Sequence, residues 1–406
     1  MIQRHIKKAI DYAIQHFPCV ILTGPRQVGK TTLLSHEYLD KGFSYVTLDN
    51  AADRLLATND PKAFLELHPA PLIIDEVQKA VELFPELEYL INEKRRAEGN
   101  GANGMYILTG SSRKDLLERA RESLAGRVAI LEMSPLSQSE ILNRPNIPFI
   151  PDAGIASKRS ANHPVMRHIL KGSLPALYND AGLQSPLFYS SYISTYMEKD
   201  VRDQIELRDE KAFHDFLTIL ASLTGQELIY ENLAREIGVS ANTIKNWIGI
   251  LAKTGVIRLL QPYSESSWTK RVVKRPKIYF FDTGVACHLL GIDSVETLER
   301  SYLKGPLFET YVVNEIFKTY ENEGEAPNLF YYRDSNQNEV DLVLVRSGTL
   351  HCIEIKCAKE PHKNDAASFR ALRETKYAQG KGAIICNSSS LSAVSEQVLI
   401  IPVSAI

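Results

Sequence analysis

Cysteine is scarce in this 406-residue sequence: Cys19, Cys287, Cys352, Cys357 and Cys386 make an odd set with no CxxC pair. That excludes a disulfide framework, argues against a zinc ribbon, and fits reduced thiols. No apolar run approaches the ~18 residues a membrane span requires. The opening MIQRHIKKAIDYAIQHF is charged throughout and lacks the continuous apolar core of a secretory signal, so a cytoplasmic protein with no membrane partner is expected. Net charge is nearly absent too, with 47 Lys and Arg against 49 Asp and Glu. The balance excludes a uniformly basic nucleic-acid binder but not a locally basic one. Internal repeats and low-complexity tracts are also missing. What is present is 44% hydrophobic and 24% charged residues, a mix that builds cores, at a length that suits two or three domains.

The first third alternates short apolar runs with longer amphipathic stretches. Ile2, Ile6, Ile10, Ala13, Ile14 and Phe17 recur at helical spacing. Strands are expected at 19–22, 45–48, 72–74, 105–108 and 128–131, and helices at 30–38, 61–67, 81–96 and 114–124. This alternation predicts an α/β domain with a largely parallel sheet over 1–143. Proline and small polar residues then predict a linker or surface excursion over 144–164. A helical region reaches to 225, a helix–turn–helix with strands covers 226–285, and a new α/β pattern fills 286–406.

Gly24-Pro25-Arg26-Gln27-Val28-Gly29-Lys30-Thr31 matches G-x4-G-K-[ST], follows an apolar strand and opens a helix that continues with Thr32. In that context the glycines let backbone N–H groups wrap phosphates, Lys30 reaches the β- and γ-phosphates, and Thr31 offers a hydroxyl to Mg²⁺. Pro71-Leu-Ile-Ile-Asp75-Glu76 supplies the acidic partners, Asp75 for the metal through water and Glu76 to polarise an attacking water. A glutamate directly after the metal aspartate points to nucleotide hydrolysis. The run ILTGSS places Ser111 as a candidate γ-phosphate sensor. Arg127 is either an arginine finger or phosphate sensor, or a structural ion pair; action on a neighbour's site would require a homo-oligomer. No NKxD-like guanine reader occurs, so ATP is preferred to GTP.

Glu231–Leu251 reads as helix, glycine turn, helix, with Leu233, Ala234, Ile237, Val239, Ile244, Trp247 and Ile248 as its core. Ser240, Asn242, Thr243, Lys245 and Asn246 form a face able to read DNA. Residues 240–281 hold eight Lys or Arg and one acid, a local +7 that includes Lys270, Arg271, Lys274, Arg275 and Lys277. Such a patch either contacts nucleic-acid phosphates or docks on an acidic face of the protein itself.

In the last segment Glu309 opens a helix, Asp341 starts a strand, and His351-Cys-Ile-Glu354-Ile-Lys356 is the next strand. Residues two apart share a strand face, so Glu354 and Lys356 point the same way, and a turn through Arg346-Ser-Gly-Thr would bring Asp341 to Glu354. Two carboxylates and a lysine can hold Mg²⁺ and orient water against a phosphodiester, with Glu309 completing the metal shell. A solvated ion pair, or a fold that has lost its activity, remains the alternative.

Together GPRQVGKTTLL, PLIIDEVQK, YILTGSS, AGRVAILEMSPLSQSE, YMEKDVRD, the helix–turn–helix, KRPKIYFFDTGVACHLLG, GPLFETYVVNEIFK, EVDLVLV and IEIK resemble, in order, the prokaryotic AAA-superfamily P-loop ATPases. Those carry a winged helix and a C-terminal restriction-endonuclease-like domain of unknown function. The resemblance implies ATP binding and hydrolysis with Mg²⁺ at Lys30, Thr31, Asp75 and Glu76, and a nuclease-like set of Glu309, Asp341, Glu354 and Lys356. It leaves the partner, DNA or protein, open.

Overall fold

Five strands, β1 (Cys19–Thr23), β2 (Ser44–Thr47), β3 (Leu72–Asp75), β4 (Tyr106–Thr109) and β5 (Val128–Glu132), form one sheet in the order β2-β3-β4-β1-β5. Every pairing is parallel. β1, β3 and β4 are buried along their whole length, which explains why they read as unbroken apolar runs rather than alternating ones. The computed structural model describes residues 2–110, 120, 122–159, 163–197, 210–264 and 275–406. The sheet belongs to a compact unit of Met1–Leu136, Lys253–Gly255 and Glu321–Glu325; a second unit comprises Ser137–Ala252, Val256–Tyr320 and Ala326–Ile406. The segments expected at 144–225, 226–285 and 286–406 thus fall almost entirely within one unit.

In the first unit the helices Lys30–Tyr38 and Pro61–Leu67 lie where the sequence places them, and Leu83–Glu98 is shifted by two residues. The helix expected at 114–124 falls largely outside the described residues. Helix Ala51–Asn59 was not expected. It buries only Ala57, so its apolar periodicity is weak, but Asn50 caps it by accepting from the backbone N–H of Ala52 and Asp53.

The second unit begins with a run of helices. The segment 144–164 is not a free linker. Asn146 Nδ2 donates to Thr319 O at 2.8 Å, the Phe149 N–H donates to Thr319 Oγ1 at 3.0 Å, and the Tyr320 hydroxyl donates to Phe149 O at 2.6 Å. Phe149 is buried, and residues Ala153–Arg159 are helical. Beyond it, helices Tyr230–Ile237 and Ala241–Lys253 flank Gly238, whose φ of 81° is the left-handed value glycine adopts without strain. Leu233, Ala234, Ile244, Trp247 and Ile248 are buried as expected, while Ile237 and Val239 are half-buried. Antiparallel β6 (Ile257–Leu260) and β7 (Lys277–Phe280) follow.

The C-terminal part sets helix Lys304–Glu321 beside a mixed sheet. Its strands are β8 (Leu329–Arg333), β9 (Glu339–Arg346), β10 (Thr349–Lys356), β11 (Ala378–Gln379), β12 (Gly382–Cys386), β13 (Ser392–Ser395) and β14 (Val398–Pro402), in the order β13-β14-β12-β10-β9-β8 with β11 on β10. The β9–β10 turn is Ser347-Gly348, both with positive φ, the two-residue geometry whose twist matches the strands.

His163 is buried in this unit, 3.2 Å from the Tyr311 hydroxyl, with its ring tilted at 48° to that of His168 and the centroids 4.2 Å apart. Burial, then His168 and Arg144, push it down to about 3. The unfolded chain takes up a proton near pH 6.5 that the folded chain refuses until about pH 3, so stability falls as pH drops through that window. His163→Gln should cut the loss between pH 7 and pH 5 by about 2 kcal/mol, at ~1.4 kcal/mol per pH unit. Urea unfolding at the two pH values checks this; an unchanged difference rejects it.

Candidate functional sites: a phosphate loop and a carboxylate cluster

The phosphate loop leaves the C-terminal end of β1, the edge at which open parallel sheets bind ligands. Gly24 has φ 144°, and a Cβ there would lie 2.2 Å from Met133 O, so only glycine fits beside that backbone. Gly29, at φ 94°, caps helix Lys30–Tyr38. Buried Arg4 braces the loop from behind, donating to Val28 O and to Ser134 O, each at 2.6 Å. Nothing in the sequence pattern marked Arg4 for this role. Gly24→Ala should weaken binding of a fluorescent ATP analogue by roughly tenfold or more, about 1.4 kcal/mol. Wild-type affinity in that variant would show that the loop tolerates the displacement.

Lys30 Nζ donates to Gly24 O and Pro25 O, both at 2.8 Å, lying over its own loop. Thr31 Oγ1 donates to Asp75 Oδ2 at 2.7 Å, joining the two motifs across 44 residues. Tyr45, on β2, donates to the same oxygen at 2.8 Å. Burial, then Asp75, raises the phenol's pKa, so it stays a donor. Glu76 takes a left-handed backbone at φ 56°, a strain of the kind that gathers at functional sites, and its carboxylate accepts from Gln78 Nε2. Tyr45 and Gln78 were not singled out from the sequence; only neighbouring β2 and β3 bring Tyr45 to Asp75.

β4 lies between β1 and β3, so the strand chosen for a sensor is placed between the two motif strands. Ser111 itself lies outside the described residues. Thr109, two residues earlier, is buried, and its hydroxyl has no partner among the described residues. Arg127 takes the structural alternative. Its Nε donates to Asn92 Oδ1 at 2.8 Å, and Nη1 lies 3.5 Å from Glu88 Oε1. The Cys19 N–H donates to Arg127 O, which puts this arginine at the sheet edge opposite the phosphate loop, roughly 13 Å of strand away. A sensor role within its own subunit is thereby removed. The signal was in the sequence: Arg127 precedes its strand, whereas the loop follows one.

The second cluster lies in the C-terminal unit. Asp341 and Glu354 meet across the β9–β10 hairpin as expected, with Asp341 Oδ2 accepting from the Ile355 N–H at 2.8 Å. Lys356 Nζ donates to Glu354 Oε1 at 2.6 Å, confirming their shared face. Glu354 Oε2 is buried with no partner among the described residues. Glu309 comes close too, but its Oε1 accepts from Tyr279 at 2.7 Å and Lys277 at 3.2 Å. Lys277 also lies 2.6 Å from Glu339 Oε1 and 3.9 Å from Asp341 Oδ1. It therefore does not belong with the exposed basic patch to which its sequence neighbours assign it. Lys270, Arg271 and Lys274 lie outside the described residues, and Arg275 is exposed. Burial raises Glu354 to about 8 and Glu309 to about 7, with Lys356 and Lys277 respectively opposing the shift. Among the described residues no group of three or more His, Cys, Asp or Glu is placed to hold a metal ion, so Glu309 does not complete a metal shell in this arrangement. The unsatisfied Glu354 Oε2 beside Asp341 is the part of the cluster that suits a cation.

A parallel five-stranded sheet carrying this loop and acidic strand end is the arrangement of a P-loop nucleotide-binding domain. A profile of the AAA domain matches residues 16–142. Two further profiles match domains of unknown function, DUF8612 over 162–296 and DUF4143 over 304–406. The uncharacterized proteins Rv2008c of Mycobacterium tuberculosis and Mb2031c of Mycobacterium bovis are each 32% identical over 354 residues, covering 86% of this chain and 72% of theirs. The chain belongs to the family of these proteins. The uncharacterized protein MJ1637 of Methanocaldococcus jannaschii is 26% identical over 71% of this chain and 66% of its own. Among solved structures, the Walker-type ATPase PABY2304 of Pyrococcus abyssi aligns at 15% identity and TM-score 0.39, over 71% of this chain and 96% of its own. Cdc6p of Pyrobaculum aerophilum aligns at 15% and 0.25, over 73% and 92%. Scores this low fix neither the fold nor the activity of this chain. No described helix is long and apolar enough to cross a membrane.

Proposed function

We propose that the chain binds ATP with Mg²⁺, hydrolyses it, and couples its nucleotide state to a DNA-directed, nuclease-like C-terminal module. The observation carrying the first part is the meeting of Thr31 and Asp75 at 2.7 Å, with Lys30 and Glu76 adjoining them in the chain. A hydroxyl and a carboxylate oxygen suit a hard cation, which when bound would neutralise charge on the phosphate oxygens. Lys30 would exchange its two loop carbonyls for the β- and γ-phosphates. Glu76, freed from Gln78, would orient the attacking water. Thr109, on the intervening strand, and Ser111, two residues further along the sequence, are the hydroxyls for sensing the γ-phosphate.

Support for DNA contact comes from exposed Ser240, Asn242, Lys245 and Asn246 on the second helix of the helix–turn–helix, read as part of a winged helix. Support for nuclease-like chemistry comes from the convergence of Asp341, Glu354 and Lys356. Turnover measured with and without duplex and single-stranded DNA tests the coupling; a rate unchanged by either nucleic acid refutes it. Plasmid incubated with Mg²⁺ or Mn²⁺ tests the module, and nicking that survives Asp341→Ala rejects the site.

A second reading is a nucleotide-switched regulator, binding DNA or a protein, whose nuclease-like domain is inactive. The buried Lys277 among the carboxylates favours it. Slow turnover with tight ATP binding, together with an intact plasmid, would select it.

A further inference from the structure

Lys277 lies on β7, yet its charge is spent on residues 32 to 64 positions further along the chain. Its side chain is 4% exposed, and its Nζ lies 2.6 Å from Glu339 Oε1, 3.2 Å from Glu309 Oε1 and 3.9 Å from Asp341 Oδ1. Tyr279, two residues on and so on the same strand face, donates its hydroxyl to the same Glu309 oxygen. Glu309 is thereby engaged as the acceptor of two donors from β7. At the inner end of the cluster, Lys356 takes Glu354 Oε1, while Oε2 stays buried and unpartnered in a residue 7% exposed. Four carboxylates therefore meet two ammonium groups, with Arg333 at the outer edge between Glu339 and Glu227. Negative charge is in excess, and one carboxylate oxygen has no partner. The oxygen ligands for a cation are present, and the Lys277 ammonium already stands among them.

We propose that Lys277 is the resident cation of this cluster and keeps it closed to divalent metal ions, which enter between Asp341 and Glu354 only when its ammonium charge is removed. An ion bonded to Asp341 Oδ1 at the usual ~2.1 Å would lie no more than about 6 Å from the Lys277 nitrogen. At that separation in a desolvated site, a monovalent and a divalent cation repel strongly. Lys277 also removes the third carboxylate, since Glu309 faces it and Tyr279. The inference rests on the nuclease-like reading of Asp341, Glu354 and Lys356, and makes Lys277 the residue that sets their metal affinity.

The test uses the full chain without nucleotide, in an Asp75→Asn background that disables the metal carboxylate of the ATP site. Bound Mn²⁺ is read from loss of the free-ion electron paramagnetic resonance signal. With Lys277 in place, no Glu354-dependent Mn²⁺ binding is expected at 1 mM ion. Lys277→Gln should gain one site tighter by at least about tenfold, and Glu354→Gln should abolish the gain. Lys277→Arg, which keeps the charge, should behave as the parent does. Equal or weaker binding in Lys277→Gln overturns the proposal. So does Glu354-dependent binding in the parent, a readout that stands even if the Lys277 variants fail to fold. The two readings separate on plasmid. Mn²⁺ gained by Lys277→Gln without nicking upholds the lysine's role and removes the nuclease reading. Asp341-dependent nicking with Lys277 in place does the reverse.

Discussion

Lys30→Ala should leave the protein folded and cut ATP turnover by roughly 10²–10³-fold, the scale on which one positioned charge on a reacting oxyanion acts. Lys30 is the first residue of its helix, where alanine is well tolerated. Two of its hydrogen bonds go to carbonyls of its own loop, which water can solvate once the ammonium is gone. What is lost is the ammonium that would follow charge onto the β- and γ-phosphates. Phosphate release checks the rate, and circular dichroism checks the fold. Undiminished hydrolysis would sink the proposed site.

The largest stability effect is expected in the second unit, at Asp282. This carboxylate is fully buried and accepts from the Ser173 N–H at 2.5 Å, the Val285 N–H at 3.0 Å and the Tyr189 hydroxyl at 2.9 Å. It caps helix Thr283–Leu289 and joins it to Ser173, just past helix Val165–Lys171, and to Tyr189 within helix Ser185–Tyr192. Burial raises its pKa, and the three donors oppose that shift. Asp282→Ala strands the Ser173 and Val285 N–H donors in the interior, while the Tyr189 hydroxyl keeps Lys171 O at 2.7 Å, and should cost about 3–5 kcal/mol. Asp282→Asn keeps one acceptor oxygen and should cost less. The urea midpoint reads both, and a midpoint unmoved by Asp282→Ala would mean that water replaces the carboxylate.

Where a residue's role is set by its neighbours in sequence, the role was legible. The glycine-rich turn after an apolar strand located the phosphate loop, and period-two spacing on β10 put Glu354 and Lys356 on one face. Lys277 was misassigned because charge summed along a chain groups a lysine with residues beside it, whereas three carboxylates from distant segments determine its burial. Tyr45, Gln78 and Arg4 escaped for a related reason. Tyr45 and Arg4 touch the nucleotide motifs through elements that carry no motif of their own, and Gln78, although inside PLIIDEVQK, meets Glu76 only through the turn that follows β3. Helix Ala51–Asn59 escaped because only one of its residues is buried, though its cap was in plain view.

The Ser347-Gly348 turn has a consequence for how this chain can vary in length. It pairs Arg346 with Thr349 and so fixes the ladder that brings Asp341 to Glu354. Along β9 and β10, deleting one residue within either strand would flip every side chain beyond it and send one of the two carboxylates to the opposite face of the sheet. Natural variants that retain the cluster should therefore show no single-residue deletions in these strands. Their length differences should collect in surface connections such as the one between β10 and β11, where no ladder keeps count.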